Sequence, residues 1–486
     1  MFAIRNYLLT KNKNKSLRNI LPIAFFFSFL PIVLNAQLER PDIVFETSVI
    51  AGKGENLPFW LLSNRNGTFT DDINQALSRF SIKQELDKDK VFSIAYGLTA
   101  IGRINNHSDL YFEEFYVDLK YHFLRLELGS KRKAYGVQDQ RLSSGGILWS
   151  GNARPIPEIS LNTFDYIDVP YTSGFLQFNG GMSHGWFDDY PGIKNVWLHH
   201  KWLMIKGGGN SPFHVTAGLH HFAQWGGYSA TYGQLATDLE TMWKIFIANN
   251  ANENSPLSEQ LNAPGNHLGS YNFRIDYAIK DSELGFYWES IFEDNSGRKL
   301  RNLPDGLYGI SLKSNKKNSL INQFIFEYLA TDFQSGPVIV DTTTNIPPTG
   351  GDNYFRNYIY RMGWATHLMT IGTAFISSPI YTETEVDQGV FVNNRVRALH
   401  FGLGGCLKSM DYKFLFTHSL NKGTYSSGFN PPNHDNSLLI ALSFDDVWME
   451  GSSFQLDFGM DIGEFYGNNY GLMLSWKKRV GENQAK

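Results

Sequence analysis

Adjacent acids and adjacent histidines are the first residues to weigh for chemistry. Hydrolysis of a glycosidic bond needs two carboxylates at a set separation. Glu113-Glu114 and Asp445-Asp446 each put two acids side by side. Neighbours on a strand point to opposite faces, so neither pair is expected to act as one unit, and no enzyme activity is predicted. His199-His200 and His220-His221, with His184 and His214, invite a metal reading. On strands each pair splits between two faces, and no acid completes a recognised motif. Ordinary hydrogen-bonded histidines, no metal and no cofactor are the expectation. Gly207-Gly-Gly209 leads into Ser211-Pro212 and reads as a turn rather than a phosphate loop. No nucleophile elbow of a serine hydrolase is predicted. Cys406 is the single cysteine, which rules out an internal disulfide and a zinc site built on Cys pairs.

Recognition of a sugar is the third chemistry. A glycan presents hydroxyls and an apolar ring face, met by Asp, Asn and Arg hydrogen bonds and by flat aromatic rings. An acidic polysaccharide adds carboxylates, which Arg grips bidentately. Three polar stretches carry these types. Residues 142–157 offer Trp149, Asn152 and Arg154; residues 292–309 offer Arg298, Arg301 and Asp305; residues 350–358 offer Asp352 and Tyr354. Trp225, within Ala223–Gly227, completes the candidate polysaccharide-binding set. The plainer alternative is that Arg and Asp brace one another across a lumen, that Gly and Asn shape turns, and that Trp149 and Trp225 are interface aromatics.

These residues need a scaffold, and the scaffold reads as all-β. In Ser453–Ile462, Phe454, Leu456, Phe458, Met460 and Ile462 fall on one face, and Gln455, Asp457 and Asp461 on the other. Residues 271–280, 114–121 and 470–477 alternate in the same way. Candidate strands begin near 43, 76, 91, 111, 123, 158, 173, 196, 213, 268, 284, 306, 320, 367, 395, 411, 436, 453 and 469. That is one start more than the count of about 18 that the pattern supports, so one is a loop or two belong together. A soluble sandwich and a transmembrane antiparallel barrel both alternate. Charges of both signs on the polar face and an aromatic content of 15% favour the barrel, whose lumen is polar and whose belts are aromatic. Lys120–Phe123 and Lys280–Glu283 read as hairpin turns. The long polar stretches Asn249–His267, Phe333–Asn353, Ser377–Asn394 and Asn421–Asn436 read as outer loops. Gln234–Ala248 is predicted to be a short amphipathic helix, from Leu235, Leu239, Met242, Trp243 and Phe246, that covers one end of the barrel.

Arg5, Lys11, Lys13, Lys15 and Arg18 precede an apolar run, Ile20–Leu34, that ends in Ala36. This is the layout of a secretory signal peptide, with residues 37–486 forming a single barrel domain. A net charge of −4 leaves no basic field for nucleic acid.

Leu142–Pro157, Ala223–Gly227, Phe292–Gly309, Gly350–Tyr358 and Asn393-Asn-Arg-Val-Arg397, together with Leu57-Pro-Phe-Trp60 and His267-Leu-Gly-Ser-Tyr271, resemble the Wzi family of capsule assembly proteins in order and spacing. The resemblance runs over nearly all of the chain from Leu57 to Trp476. It implies an eighteen-stranded outer-membrane barrel with helical segments near its periplasmic end. It also implies a lectin-like role in attaching or organising capsular or exopolysaccharide at the cell surface, with no cofactor. The implied partners are that polysaccharide, outer-membrane lipid and other components of capsule export. A porin or glycan-uptake channel, and an outer-membrane enzyme acting on glycan or lipid, are the alternatives that the wall pattern leaves open.

Overall fold

The computed structural model describes residues 40–481 apart from 89, 107, 248–263, 317–318, 338–349 and 383–389. The signal peptide expected over 1–36 lies outside these residues, as does most of the loop expected over Asn249–His267.

Eighteen antiparallel strands close into one barrel. In chain order they are β1 (Asp42–Lys53), β2 (Gln75–Leu86), β3 (Phe92–Ile104), β4 (Asp109–Tyr121), β5 (Leu124–Ser130), β6 (Pro157–Thr163), β7 (Leu176–Trp186), β8 (Trp197–Gly207) and β9 (Phe213–Trp225). The second half holds β10 (Asn266–Ile279), β11 (Ser282–Phe292), β12 (Gly306–Ser314), β13 (Gln323–Ala330), β14 (Val396–Leu407), β15 (Met410–Gly423), β16 (Gly428–Asp445), β17 (Ser452–Gly463) and β18 (Asn469–Val480). Each strand pairs with the next, and β1 pairs with β18 from Ile43↔Val480 to Lys53↔Tyr470. Closure leaves no sheet edge.

Burial is the reverse of a water-soluble protein. On β17 the polar face, Asp457 and Asp461, is buried, while Leu456 and Ile462 are exposed. On β8, His200, Trp202 and Met204 are buried, and Leu203 and Ile205 are about half exposed. Such a wall is stable only with hydrocarbon outside, so the barrel spans a membrane. Tryptophans ring one end: Trp197 lies opposite Trp225 and Trp186, and the Trp197 and Trp225 rings are 4.7 Å apart. Exposed Phe92, Tyr121, Phe213 and Tyr277 mark the other end.

Both ends of the described chain meet at one end of the barrel, where Ile43 faces Val480. The connections there are short, among them 87–91, 122–123, 208–212, 280–281 and 408–409. The opposite end carries 54–74, 131–156, 226–265, 293–305 and 331–395. Short turns face the periplasm and long loops face outward in such barrels. Three helices, α1 (Phe59–Leu62), α2 (Leu239–Ile247) and α3 (Asn295–Arg298), all belong to outer connections. That corrects the periplasmic placement implied by the resemblance, so far as the described residues extend.

Two strand expectations also change. The start expected near 367 is a small hairpin, Ala365–Thr366 with Met369–Thr370, which belongs to no wall strand. Asn421–Asn436 is not a loop: β15 and β16 continue through it, pairing Asn421 with Asn433, around a turn of four residues. Its polar residues lie on the outermost rungs, where no apolar face is required.

Candidate functional site: the plug and the outer face

β5 and β6 have only seven residues each. Ser130 pairs with Phe115, the middle of β4, so the wall stops there at half height. The chain turns inward, and Lys131-Arg-Lys133 meets a ring of inward carboxylates. Lys131 binds Asp118, Arg132 grips Glu113 at 2.6 Å, and Lys133 binds Glu158 and, at 3.1 Å, Glu127. Lys83 holds Glu114 at 2.6 Å. Buried carboxylates are costly unless paired, and these pairs fasten the plug to the wall.

Glu113 and Glu114 were expected on opposite faces. Both are buried in the lumen instead. The register slips here: Thr99 pairs with Glu114 and Ala100 with Phe112, leaving Glu113 as the extra residue of a β-bulge. A bulge re-aims a side chain. Each acid is held by its own cation, so the two are braces.

Residues 134–156 then cross the lumen. Glu327 on β13 accepts hydrogen bonds from the Ser144 amide (2.7 Å), the Ser143 hydroxyl and the Tyr287 hydroxyl (both 2.5 Å). Glu289 on β11 accepts the amides of Ile147 (2.8 Å) and Leu148 (3.2 Å). His400 bonds to the Leu142 carbonyl at 2.7 Å. Arg141 reaches Asn322 at the periplasmic start of β13. Segments 57–69 and 354–376 pack on top, with Phe59 stacked on Phe375 at 5.1 Å. A polar cavity of about 190 Å³ remains between wall and plug, lined by Arg65, Arg79, Arg132 and Glu46 among others.

The expected sugar residues divide between plug and surface. Asn152 is fully buried: its side chain accepts the Asn64 amide and donates to Thr370 and Ser378. Asp305 is fully buried, accepting the amides of Phe333 and Gln334 and the Tyr354 hydroxyl. Burial holds its carboxyl above the usual range, against the lowering effect of those three donors. Tyr354 is fully buried as well. Trp149 stacks on Phe222 at 5.7 Å and donates to the Lys133 carbonyl. Arg154 lies 3.5 Å over the Tyr111 ring. These five are fitted into the packing of the plug. Asp352 accepts from the Ser335 hydroxyl at 2.6 Å on the outer loop 331–395. Arg298 and Arg301 are exposed. Outward-facing Tyr271 donates to the Arg298 carbonyl, which puts Arg298 on the outer rim of the wall.

Trp225 faces outward, away from the lumen. Its neighbours Phe222 and Gln224 face inward, against Trp364 and the Gly363 carbonyl of the plug. Trp225 packs with Ile245 of α2. The helix therefore covers the outside of the wall, not the end of the barrel as expected.

The outer face also carries a grouping not singled out from the sequence. Arg395 lies 3.9 Å over the Tyr425 ring, and the Tyr425 hydroxyl is fixed on the Phe333 carbonyl at 2.6 Å. The Phe333 and Tyr425 rings are both exposed. Tyr232 and Tyr358, also exposed, approach edge to face at 6.1 Å. Arg395 sits inside the motif Asn393–Arg397, the one available signal. Tyr425 carried none.

The histidine pairs split between faces. His200 and His220 meet in the lumen at 3.2 Å, and His221 meets His267 outside at 2.9 Å. Gly181-Met-Ser-His-Gly185 has the spacing of a nucleophile elbow, but it lies within β7, with Ser183 buried between flanking strands rather than raised on a strand-to-helix turn.

The family model for capsule assembly protein Wzi matches residues 59–379. No curated protein matches the chain by sequence. Among solved structures, Wzi of Escherichia coli, an outer-membrane protein involved in group 1 capsule assembly and described as a carbohydrate-binding β-barrel, aligns with a TM-score of 0.57 at 12% identity, over 94% of this chain and 88% of that one. OccAB2 of Acinetobacter baumannii aligns at 0.49 and 9% identity, over 90% and 97% of the two chains. OpdK of Pseudomonas aeruginosa aligns at 0.48 and 9% identity, over 91% and 98%. The match spans the plug-forming loops as well as the wall strands, and the chain belongs to the Wzi family of capsule assembly proteins.

Proposed function

We propose that this barrel binds capsular or exopolysaccharide at the cell surface through its outer face, and that it holds glycan rather than conducting it. One observation carries the reading. The loop 131–156 is hydrogen-bonded to inward carboxylates on opposite sides of the wall, so it fills the lumen as a fixed plug. A plugged barrel offers a rigid outer surface on which aromatic rings and arginines are held in place, which suits binding. The E. coli relative, described as carbohydrate-binding, supports the same assignment.

The contact residues we assign are Arg395, Tyr425 and Phe333, with Arg298, Arg301 and Asp352 along the same outer end. Asn152, Asp305 and Tyr354 act behind them by ordering the loops. Binding without turnover is the proposed activity, since Glu113 and Glu114 are each neutralised by a cation and fastened to the plug.

The test is retention of acidic capsular polysaccharide by the purified, folded barrel. Arg298→Ala with Arg301→Ala should weaken retention without unfolding the barrel. Two exposed charge-assisted contacts at about 0.5–1 kcal/mol each correspond to a loss of several-fold. Undiminished retention by the folded double variant would remove these arginines from the site.

A further inference from the structure

We propose that helix α2 is a membrane-interface element, strapped to the outside of the barrel, whose free apolar face is covered by the acyl chains of outer-leaflet lipid. The wall side of the helix is settled by contact: Ile245 is 1% exposed and packs on outward-facing Ala223, Trp225 and Trp197. The wall beneath it differs from the rest of the lipid-facing surface. His199 and Lys201 on β8, His221 on β9 and His267 on β10 all point outward there. His199 lies 5.6 Å from the Phe246 ring. Lys201 donates to the Phe246 carbonyl at the helix end and lies 4.4 Å over its ring. An outward lysine costs about 2–4 kcal/mol at the bilayer midplane and about 0–1 kcal/mol near its surface. Covering these polar groups gives the helix a reason to lie on this part of the wall.

The other side of the helix has no protein cover. Leu239 is 79% exposed, Met242 44%, Trp243 58% and Ile247 46%. At 100° per residue these four form one continuous face. Glu240 and Lys244, paired at 2.9 Å, occupy the polar flank. One acid and one base give no net attraction to anionic headgroups, so apolar burial must hold the helix.

Lipid is the occupant because the patch continues an interface that is already lipidic. Leu203 on β8 and Leu219 on β9 are exposed on the same outward face of the same strands. Trp186, Trp197 and Trp225 mark the adjacent rung as the outer girdle. The proposal does not depend on the polysaccharide reading. It predicts that the helix fixes the height of the outer rim above the lipid surface.

The test uses the full chain in phosphatidylcholine–phosphatidylglycerol vesicles. Cys406→Ser clears the background, and Met242→Cys carries a polarity-sensitive fluorophore. Lipids with brominated acyl chains should quench it as strongly as the same label at Leu219→Cys, and aqueous iodide should fail to quench it. A label at Glu240→Cys should show the loss of iodide protection expected of the polar flank. Ile247→Cys provides a second apolar position if the Met242 variant does not fold. Iodide quenching at both apolar positions without bromolipid quenching would overturn the proposal. So would protection from both quenchers, which would put a protein partner or a second copy on the helix.

Discussion

Replacing Glu289 and Glu327 together by alanine is expected to turn a silent barrel into a conducting one. The two carboxylates accept hydrogen bonds from the Ser144, Ile147 and Leu148 amides and the Ser143 and Tyr287 hydroxyls. A buried donor left without a partner costs about 1–3 kcal/mol. Five such donors exceed what the apolar contacts of residues 142–148 can offset, even after water enters. The wall should survive, because its ladders close from β1 to β18 without the plug. Wild-type protein in planar bilayers should show no steady conductance, and the double variant discrete openings, with both migrating as folded barrels in unheated gels. Glutamine at both positions keeps an acceptor oxygen and should open the barrel less. Open wild-type channels, or a folded alanine variant that stays silent, would contradict the plug.

The second large effect is expected at the outer face. Arg395→Ala with Tyr425→Ala should lower polysaccharide retention at least about tenfold, since cation–π and ring-stacking contacts of about 0.5–1.5 kcal/mol each are lost together. Thermal unfolding of the barrel should not move, because the Tyr425 ring is exposed and Arg395 lies at the rim. Arg395→Lys keeps the charge but not the planar fork, and should fall between. Asn152→Ala is the informative contrast. It should loosen the plug while leaving the exposed rings in place, so stability falls first and retention follows only as the loops disorder. Equal loss of retention and stability in all these variants would mean the outer face has no binding role of its own.

The wall was legible because lipid and lumen impose a period of two on every strand. Starts read near 213, 306 and 469 coincide with those of β9, β12 and β18. The start near 436 came eight residues late, because Gly428–Asp435 pairs as strand above the bilayer, where nothing demands an apolar face. The hairpin at 365–370 alternates for a different reason, its burial inside the plug.

The site was less legible, and the cause is chemical. Asn and Asp make the same hydrogen bonds to a backbone amide as to a sugar hydroxyl. Asn152 and Asp305 therefore look like glycan ligands in sequence, although their partners are Asn64, Phe333 and Gln334. The bulge that turns both Glu113 and Glu114 inward depends on one extra residue relative to β3, which period-two counting cannot register. Helix α2 was recognisable by its spacing, but its seat on the outer wall follows from outward-facing Lys201, His221 and Trp225, three strand residues remote from it in the chain.

The central claim is that this barrel holds polysaccharide at the cell surface. Its most direct test is to delete the gene and measure how surface polysaccharide divides between cells and medium, at constant total synthesis. The account predicts a shift of polysaccharide into the medium, restored by the wild-type gene and not by the Arg395→Ala, Tyr425→Ala form. An unchanged division between cells and medium would contradict it.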